Sequence, residues 1–215
     1  MMKVRWLILI FLLYSVIFIN GERNVFSRSG EDEEIMKSYH FYKLYAAFAF
    51  RRRNKSICDN SPSSHHCYQE VEFFERMKNI AEGNCTRLNS KFFQELCRIV
   101  KNNCRGSDNS YIEGMCNAFK EKDITKIMMY SNTPAWLAEI TSPMDKEEAQ
   151  FTCFIFYSFI DKKVDECLRY MKEIESSERG IYQGICRILF APRFSSSDFH
   201  DLIKQTLRYY KERHY

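Results

Sequence analysis

The sequence predicts an all-α fold of stacked short helices held together by disulfides. Glycine and proline number 7 and 4 among 215 residues, roughly half or less of their average share. Apolar residues recur at helical spacing, and no segment alternates with the two-residue period of a half-buried strand. Nine cysteines stand at phased positions. This composition disfavours turn-rich β-sandwiches and nucleotide-binding folds with glycine loops.

The N-terminus predicts export from the cytosol. A basic start precedes an uninterrupted run of fourteen weakly polar or apolar residues, Trp6 to Ile19. A helix of that length measures about 21 Å, short of a hydrocarbon core of about 30 Å, and this is typical of a secretory signal peptide. An uncleaved membrane anchor is the alternative. The predicted divisions are residues 1–21 as signal peptide or anchor, 22–30 as a polar linker and 31–215 as one all-helical domain.

Helix boundaries follow from capping residues and charges. Acids at Glu31–Glu34 and arginines at Arg51–Arg53 complement the dipole of one aromatic helix between them. The run from Glu147 to Ile160 is the most hydrophobic after the N-terminus and is expected to be the central buried helix. Other helices are predicted at about 65–81, 164–174 and 178–190 and after Ser197. Further starts are expected at Ser90, near Asn109-Ser110, near Lys122-Asp123 and at Thr133-Pro134. Thr133 is a cap with Pro134 in the first helical position, and Ser142-Pro143 repeats that arrangement.

The cysteines reveal a degenerate repeat. Cys85 and Cys97 are 12 positions apart, as are Cys104 and Cys116, and the second pair is the first shifted by 19. Flanking aromatic and apolar residues shift with them. The repeat is clearest at residues 84–120, and a looser copy occupies residues 164–190. A unit this short cannot bury its own apolar face, so we expect neighbouring units to stack in a solenoid-like array.

The same spacing predicts which cysteines pair. The favoured scheme joins a leading cysteine to one within the following helix: Cys58 with Cys67, Cys85 with Cys97, Cys104 with Cys116, and Cys167 with Cys186. Cys153 is then a free thiol, with Ile127 standing where its partner would be. A competing scheme links each helix cysteine to the next leading one, as Cys97–Cys104 and Cys153–Cys167. Spacing leaves both open, and closing a loop of about 12 residues stabilises a fold by roughly 3 kcal/mol.

The short, disulfide-linked helices predicted over about residues 85–190 resemble tetratricopeptide-type solenoids in outline. The 19-residue step is much shorter than the period of that family, and its Trp, Leu, Gly and Tyr positions are missing here. No functional residue is taken from the resemblance.

The chain carries no recognisable catalytic, cofactor or metal signature. Metalloprotease, nucleophile-elbow and phosphate-loop motifs are missing. Cys58, His65, His66 and Cys67 form the densest metal-ligand cluster, but their spacing does not suit one zinc ion. Cys153 lies in an apolar segment, which favours a buried, unreactive thiol over one activated by His40 or His200. The adjacent acids Glu147 and Glu148 are interpreted as residues of a helix start.

These observations favour an exported, non-enzymatic binding protein with a protein partner. The net charge of +4 is too small for a dedicated nucleic-acid binder, and membrane contact is expected only through residues 1–21 if they are retained. One alternative is a secreted thiol or redox enzyme using Cys153 or the Cys58–Cys67 region. Another is a structural envelope or surface protein anchored by its N-terminus. All three place the chain in an extracytoplasmic compartment.

Overall fold

The computed structural model describes residues 29–137 and 143–214, and every regular element within them is helical. Contacts divide the chain into two units, residues 1–34 and 35–215. Of the first, only the start of helix α1 is described. The helices are α1 (Gly30–Ser38), α2 (Tyr42–Arg52), α3 (Ser64–Glu82), α4 (Lys91–Lys101), α5 (Ser110–Glu121), α6 (Ile124–Ser131), α7 (Pro134–Leu137), α8 (Lys146–Asp161), α9 (Val164–Lys172), α10 (Arg179–Phe190) and α11 (Ser196–His214), with 3-10 helices at Lys55–Asn60 and Cys85–Arg87.

The predicted signal peptide or anchor at residues 1–21 and most of the linker at residues 22–30 lie outside the described residues. Within the described part of the chain, no helix is both long enough and apolar enough to cross a membrane.

Three helices start where the sequence predicts, and each start has a side-chain cap. The side chain of Ser90 accepts a hydrogen bond from the backbone N–H of Phe93 at the start of α4. Asn109 and Asp123 do the same at the starts of α5 and α6. Each cap satisfies a backbone donor that the first helical turn leaves unpaired.

The aromatic helix expected between Glu31 and Arg53 is interrupted, so that prediction was wrong. Residues 39–41 form a turn in which His40 adopts a left-handed conformation with φ of 51°. The interruption leaves Phe41 with none of its surface exposed. Because aromatic residues occupy several faces of this segment, their spacing does not mark the break.

The predicted start of the central helix needs correction. Helix α8 begins at Lys146 and is capped by Asp145, whose side chain accepts from the N–H of Glu148. Pro143, expected in the first helical position, precedes the helix, and Ser142 lies outside the described residues. The Asp145 carboxylate satisfies one of the backbone donors that the first helical turn leaves unpaired. Cys167 lies within α9, in agreement with the helix predicted at about 164–174.

Helix α8 is the central helix, as predicted. Residues 151–156 are all buried, and the helix packs against α3, α6 and α9. Helix α10 packs against α9, α11 and also α2, and Arg51 of α2 donates to the carbonyl oxygen of Ile188 at 2.7 Å. The contacts of α2 with α10 join segments more than 100 residues apart, whereas each unit of an open solenoid contacts only its neighbours.

Candidate functional site

The structure places each pair of the favoured cysteine scheme at disulfide distance. The Cα–Cα separations are 5.5 Å for Cys58–Cys67, 5.4 Å for Cys85–Cys97, 5.5 Å for Cys104–Cys116 and 5.6 Å for Cys167–Cys186. Disulfides typically span about 4.4–6.8 Å between Cα atoms. The four pairs are consistent with an oxidising environment outside the cytosol.

Cys153 is free and fully buried in α8. Burial raises the pKa of its thiol to about 12, and the charge of Lys122 offsets this only in part. Because the thiolate is the reactive form, this environment makes the cysteine a poor nucleophile.

The histidines named with the cysteines have other partners. Cys58 and Cys67 bond to each other, and Nδ1 of His66 lies 2.7 Å from Oγ of Ser63. His40 pairs with Glu178, and His200 lies beside Phe199 on α11. No group of three metal-ligating side chains occurs among the residues that the structure describes.

A cleft of about 490 Å³ is bordered by α2, α3 and α8, with single contributions from α4 and α7. We call the part lined by Lys43, Glu70 and Glu148, whose charges act on one another, the polar end. We call the part lined by Phe93 and Trp136, whose rings are in contact, the apolar end. Its lining residues are His40, Tyr42, Lys43, Gln69, Glu70, Glu72, Phe73, Arg76, Met77, Phe93, Trp136, Met144, Glu148, Phe151 and Thr152. A volume of this size suits a small organic molecule, and aromatic walls with a few polar groups are usual in such sites.

A buried ionic network supports the polar end. Nζ of Lys43 on α2 lies 3.4 Å from Oε2 of Glu178 and 3.4 Å from the hydroxyl of Tyr182 on α10. Burial alone would raise the pKa of Glu178, but the hydrogen bond from His40 and the charge of Lys43 outweigh it and hold this pKa below its usual value. A buried charge needs partners of this kind, so the network fixes α2 against α10.

The network continues to α8. Tyr182 donates a hydrogen bond to Oε1 of Glu147, and Oγ of Ser176 donates to the same oxygen at 2.7 Å. Burial and this acceptor raise the pKa of Tyr182 well above its usual value. Glu147, expected only to support a helix start, therefore ties α8 to α10.

Glu70 is the unusual carboxyl group of the cleft. Burial, with the charges of Glu148 and Glu178, raises its pKa from 4.5 to about 7 against the opposing effect of Lys43 and Arg76. Its Oε1 atom is buried and has no hydrogen-bond partner within the described residues. A carboxyl group in this state exchanges its proton near neutral pH.

Trp136 borders the apolar end of the cleft. Only 1% of its surface is exposed, and for its indole N–H the described part of the chain supplies no acceptor. Its ring lies 5.9 Å from that of Phe93. Buried indole N–H groups usually find a partner, so Trp136 is a lining residue with an unused donor.

Sequence reasoning missed Glu70 and Trp136. Neither residue belongs to a sequence motif. The buried, unpaired polar atom of each results from packing against helices that are remote in sequence. Glu147 and Glu148 stand out in the sequence, but there they are interpreted as residues of a helix start.

Comparison of the whole chain with protein-family models, curated proteins and solved structures gives no match. The geometry of the cleft therefore carries the functional argument.

Proposed function

We propose that the chain is an exported, non-enzymatic binding protein and that the cleft between α3 and α8 holds a small organic molecule. The carrying observation is the cleft itself, which has a volume of about 490 Å³ and is lined by Glu70 and Trp136 among others. Each of these two residues has a buried polar atom, Oε1 of Glu70 and Nε1 of Trp136, that lacks a partner within the described ranges. Unpaired buried groups cost about 1–3 kcal/mol each. A ligand that pairs with them recovers part of that cost.

Native mass spectrometry of protein isolated from its source tests this proposal. We expect a one-to-one complex with a small molecule that dissociates on unfolding. Gln69 is an exposed lining residue, and Gln69→Trp is expected to obstruct the cleft and abolish the complex. Glu75→Trp is the control, because Glu75 is on α3 but does not line the cleft. Equal occupancy in both variants would contradict this location.

A protein partner is a second proposal within the same class. Among the residues that the structure describes, four large apolar or aromatic side chains are exposed, each by 39–57% of its surface: Tyr111, Met129, Ile160 and Tyr209. Aromatic residues and methionine are enriched at protein interfaces. Replacing Tyr111 by Ser is expected to weaken a complex recovered by cross-linking, and unchanged recovery would remove this residue from the interface.

The enzyme alternative has less support. The buried thiol of Cys153, with its raised pKa, does not favour thiol chemistry, and Cys58 and Cys67 are buried in a disulfide. The anchored surface protein stays a prediction that N-terminal sequencing of the native chain tests. A free Glu22 would indicate cleavage, and a retained Met1 would indicate the anchor.

We also propose that the bridged units descend from one repeated element. The support is the identical 12-residue separation of two neighbouring pairs and the phased residues around them. In this proposal the array is not extended, because α2 packs against α10 and α3 packs against α8.

A further inference from the structure

Carboxylates dominate the polar end of the cleft. Glu70, Glu72 and Glu148 line it, and Glu178 lies directly behind Lys43. Tyr42 occupies the same end, and its pKa is raised by burial and by the charges of Glu70, Glu178 and Glu148. Three of these four carboxylates therefore act on one place in the cleft.

The cations that line the cleft already interact with other groups of the protein. Nζ of Lys43 contacts Glu178 and Tyr182, and its side chain is only 11% exposed. The guanidinium of Arg76 lies over the ring of Phe93, 5.2 Å from its centroid. A cation held against an aromatic face is partly compensated there. The field offered to a ligand at the polar end is therefore negative.

The two unpaired atoms differ in chemistry and lie on different elements. Ionised Glu70 accepts hydrogen bonds, and Trp136 only donates one. The carboxyl of Glu70 can present either oxygen to the cleft, because the terminal torsion of a glutamate is soft. A ligand that satisfies both residues carries a donor at one end and an acceptor at the other.

The lining of α3 sets the length of the ligand. Lining residues run from Gln69 to Met77 along one helix, and a helix rises about 1.5 Å per residue, so this span is roughly 12 Å. Phenylalanine and tryptophan side chains also line the cleft: Phe73 on this helix, and Phe93, Trp136 and Phe151 on others. A ring with a short chain fits between them.

We infer that the cleft binds an aromatic amine, with its ammonium group at Glu70 and a hydroxyl-bearing ring at Trp136. This inference rests on the proposed function, since it names the ligand class of the same cleft. An ammonium beside Glu70 forms a charge-assisted hydrogen bond, and the ring buries its faces against the aromatic walls.

Three probes that differ only in their polar end test the inference. Tyramine carries an ammonium, tyrosol a hydroxyl, and hydroxyphenylpropionate a carboxylate, each joined by two methylenes to the same phenol. Binding to the full, oxidised chain is measured by calorimetry and by the fluorescence of Trp136. The variant Trp6→Phe leaves Trp136 as the only tryptophan of the chain, which has 2.

We expect tyramine to bind about tenfold or more tightly than tyrosol, and the carboxylate to bind most weakly. Glu70→Gln should reduce tyramine affinity about tenfold and leave tyrosol affinity nearly unchanged. Glu75→Gln, on the outer side of α3, should change neither. Tyramine affinity should also rise from pH 6 to pH 8, with proton release, because Glu70 must ionise to hold the ammonium.

The outcomes separate the inference from the proposed function. Equal affinities for the three probes, or tightest binding of the carboxylate, would overturn the amine while leaving the cleft as a binding site. Binding of none of them would also overturn the amine, and the mass-spectrometric test of the source protein would then decide the proposed function independently. Tyramine binding that survives Glu70→Gln unchanged would refute the assigned orientation.

Discussion

Replacing Glu70 by Gln removes a charge and keeps the shape of the side chain. In the folded chain the pKa of Glu70 is raised from 4.5 to about 7, so the folded state binds more protons than the unfolded state between those values. Stability contributed by this group is therefore present at low pH and is lost as pH rises through about 7. The Glu70→Gln variant does not lose stability in this way, because its amide does not ionise.

The size of the effect follows from the shift. One pKa unit corresponds to about 1.4 kcal/mol, which gives at most about 3 kcal/mol at pH 8 for the shift caused by burial and neighbouring carboxylates. Because Glu70 is only partly buried, solvent screening reduces this figure. The quantity to compare is the unfolding free energy of Glu70→Gln minus that of the native chain. We expect this difference to be about 1–2 kcal/mol larger at pH 8 than at pH 5.

Urea unfolding followed by circular dichroism, without reductant, measures the difference at several pH values. Glu75→Gln is the matched control, since Glu75 is exposed on the same helix with its side chain 3.5 Å from Lys55. If the stability difference between Glu70→Gln and the native chain does not change with pH, or if the variant is less stable at pH 8, the assigned environment of Glu70 is wrong.

Three other predictions concern the core. Cys153 should resist alkylation at pH 8 until the chain is unfolded, because a pKa of about 12 instead of 9.0 lowers the thiolate fraction about a thousandfold; rapid labelling of the folded chain would refute this. Ile127→Cys should form a fifth disulfide, with Cys153, if the repeat is real, and peptide mapping that finds both thiols free would count against it. Gly184→Ala should destabilise by about 1–2 kcal/mol, since its methyl would meet the buried Leu44 at 2.7 Å; thermal unfolding checks this against Gly180→Ala, whose nearest contact is 3.3 Å.

Local features of the fold were predictable because their physics is local. Ser90, Asn109 and Asp123 cap helices through side-chain bonds to residues two or three positions on. Cysteine phasing anticipated pairs that the structure brings to disulfide distance. A helix cap and a cysteine pair each involve residues no more than about 20 positions apart.

The break at His40 and the cleft were not predictable in this way. His40 turns the chain where aromatic spacing continues without interruption, and its partner Glu178 lies 138 positions away. Glu70 acquires its raised pKa from burial and from carboxylates on other helices. No single segment contains the information that places these groups together.

The disulfides all join cysteines 9 to 19 positions apart. None connects the helices before Trp136 with those after it, although α3 and α8 form the walls of the cleft. The covalent framework therefore reinforces each half separately, and noncovalent packing alone brings the two walls together. A ligand that contacts both walls would hold the two halves together while it is bound, and its concentration would determine the stability of their association.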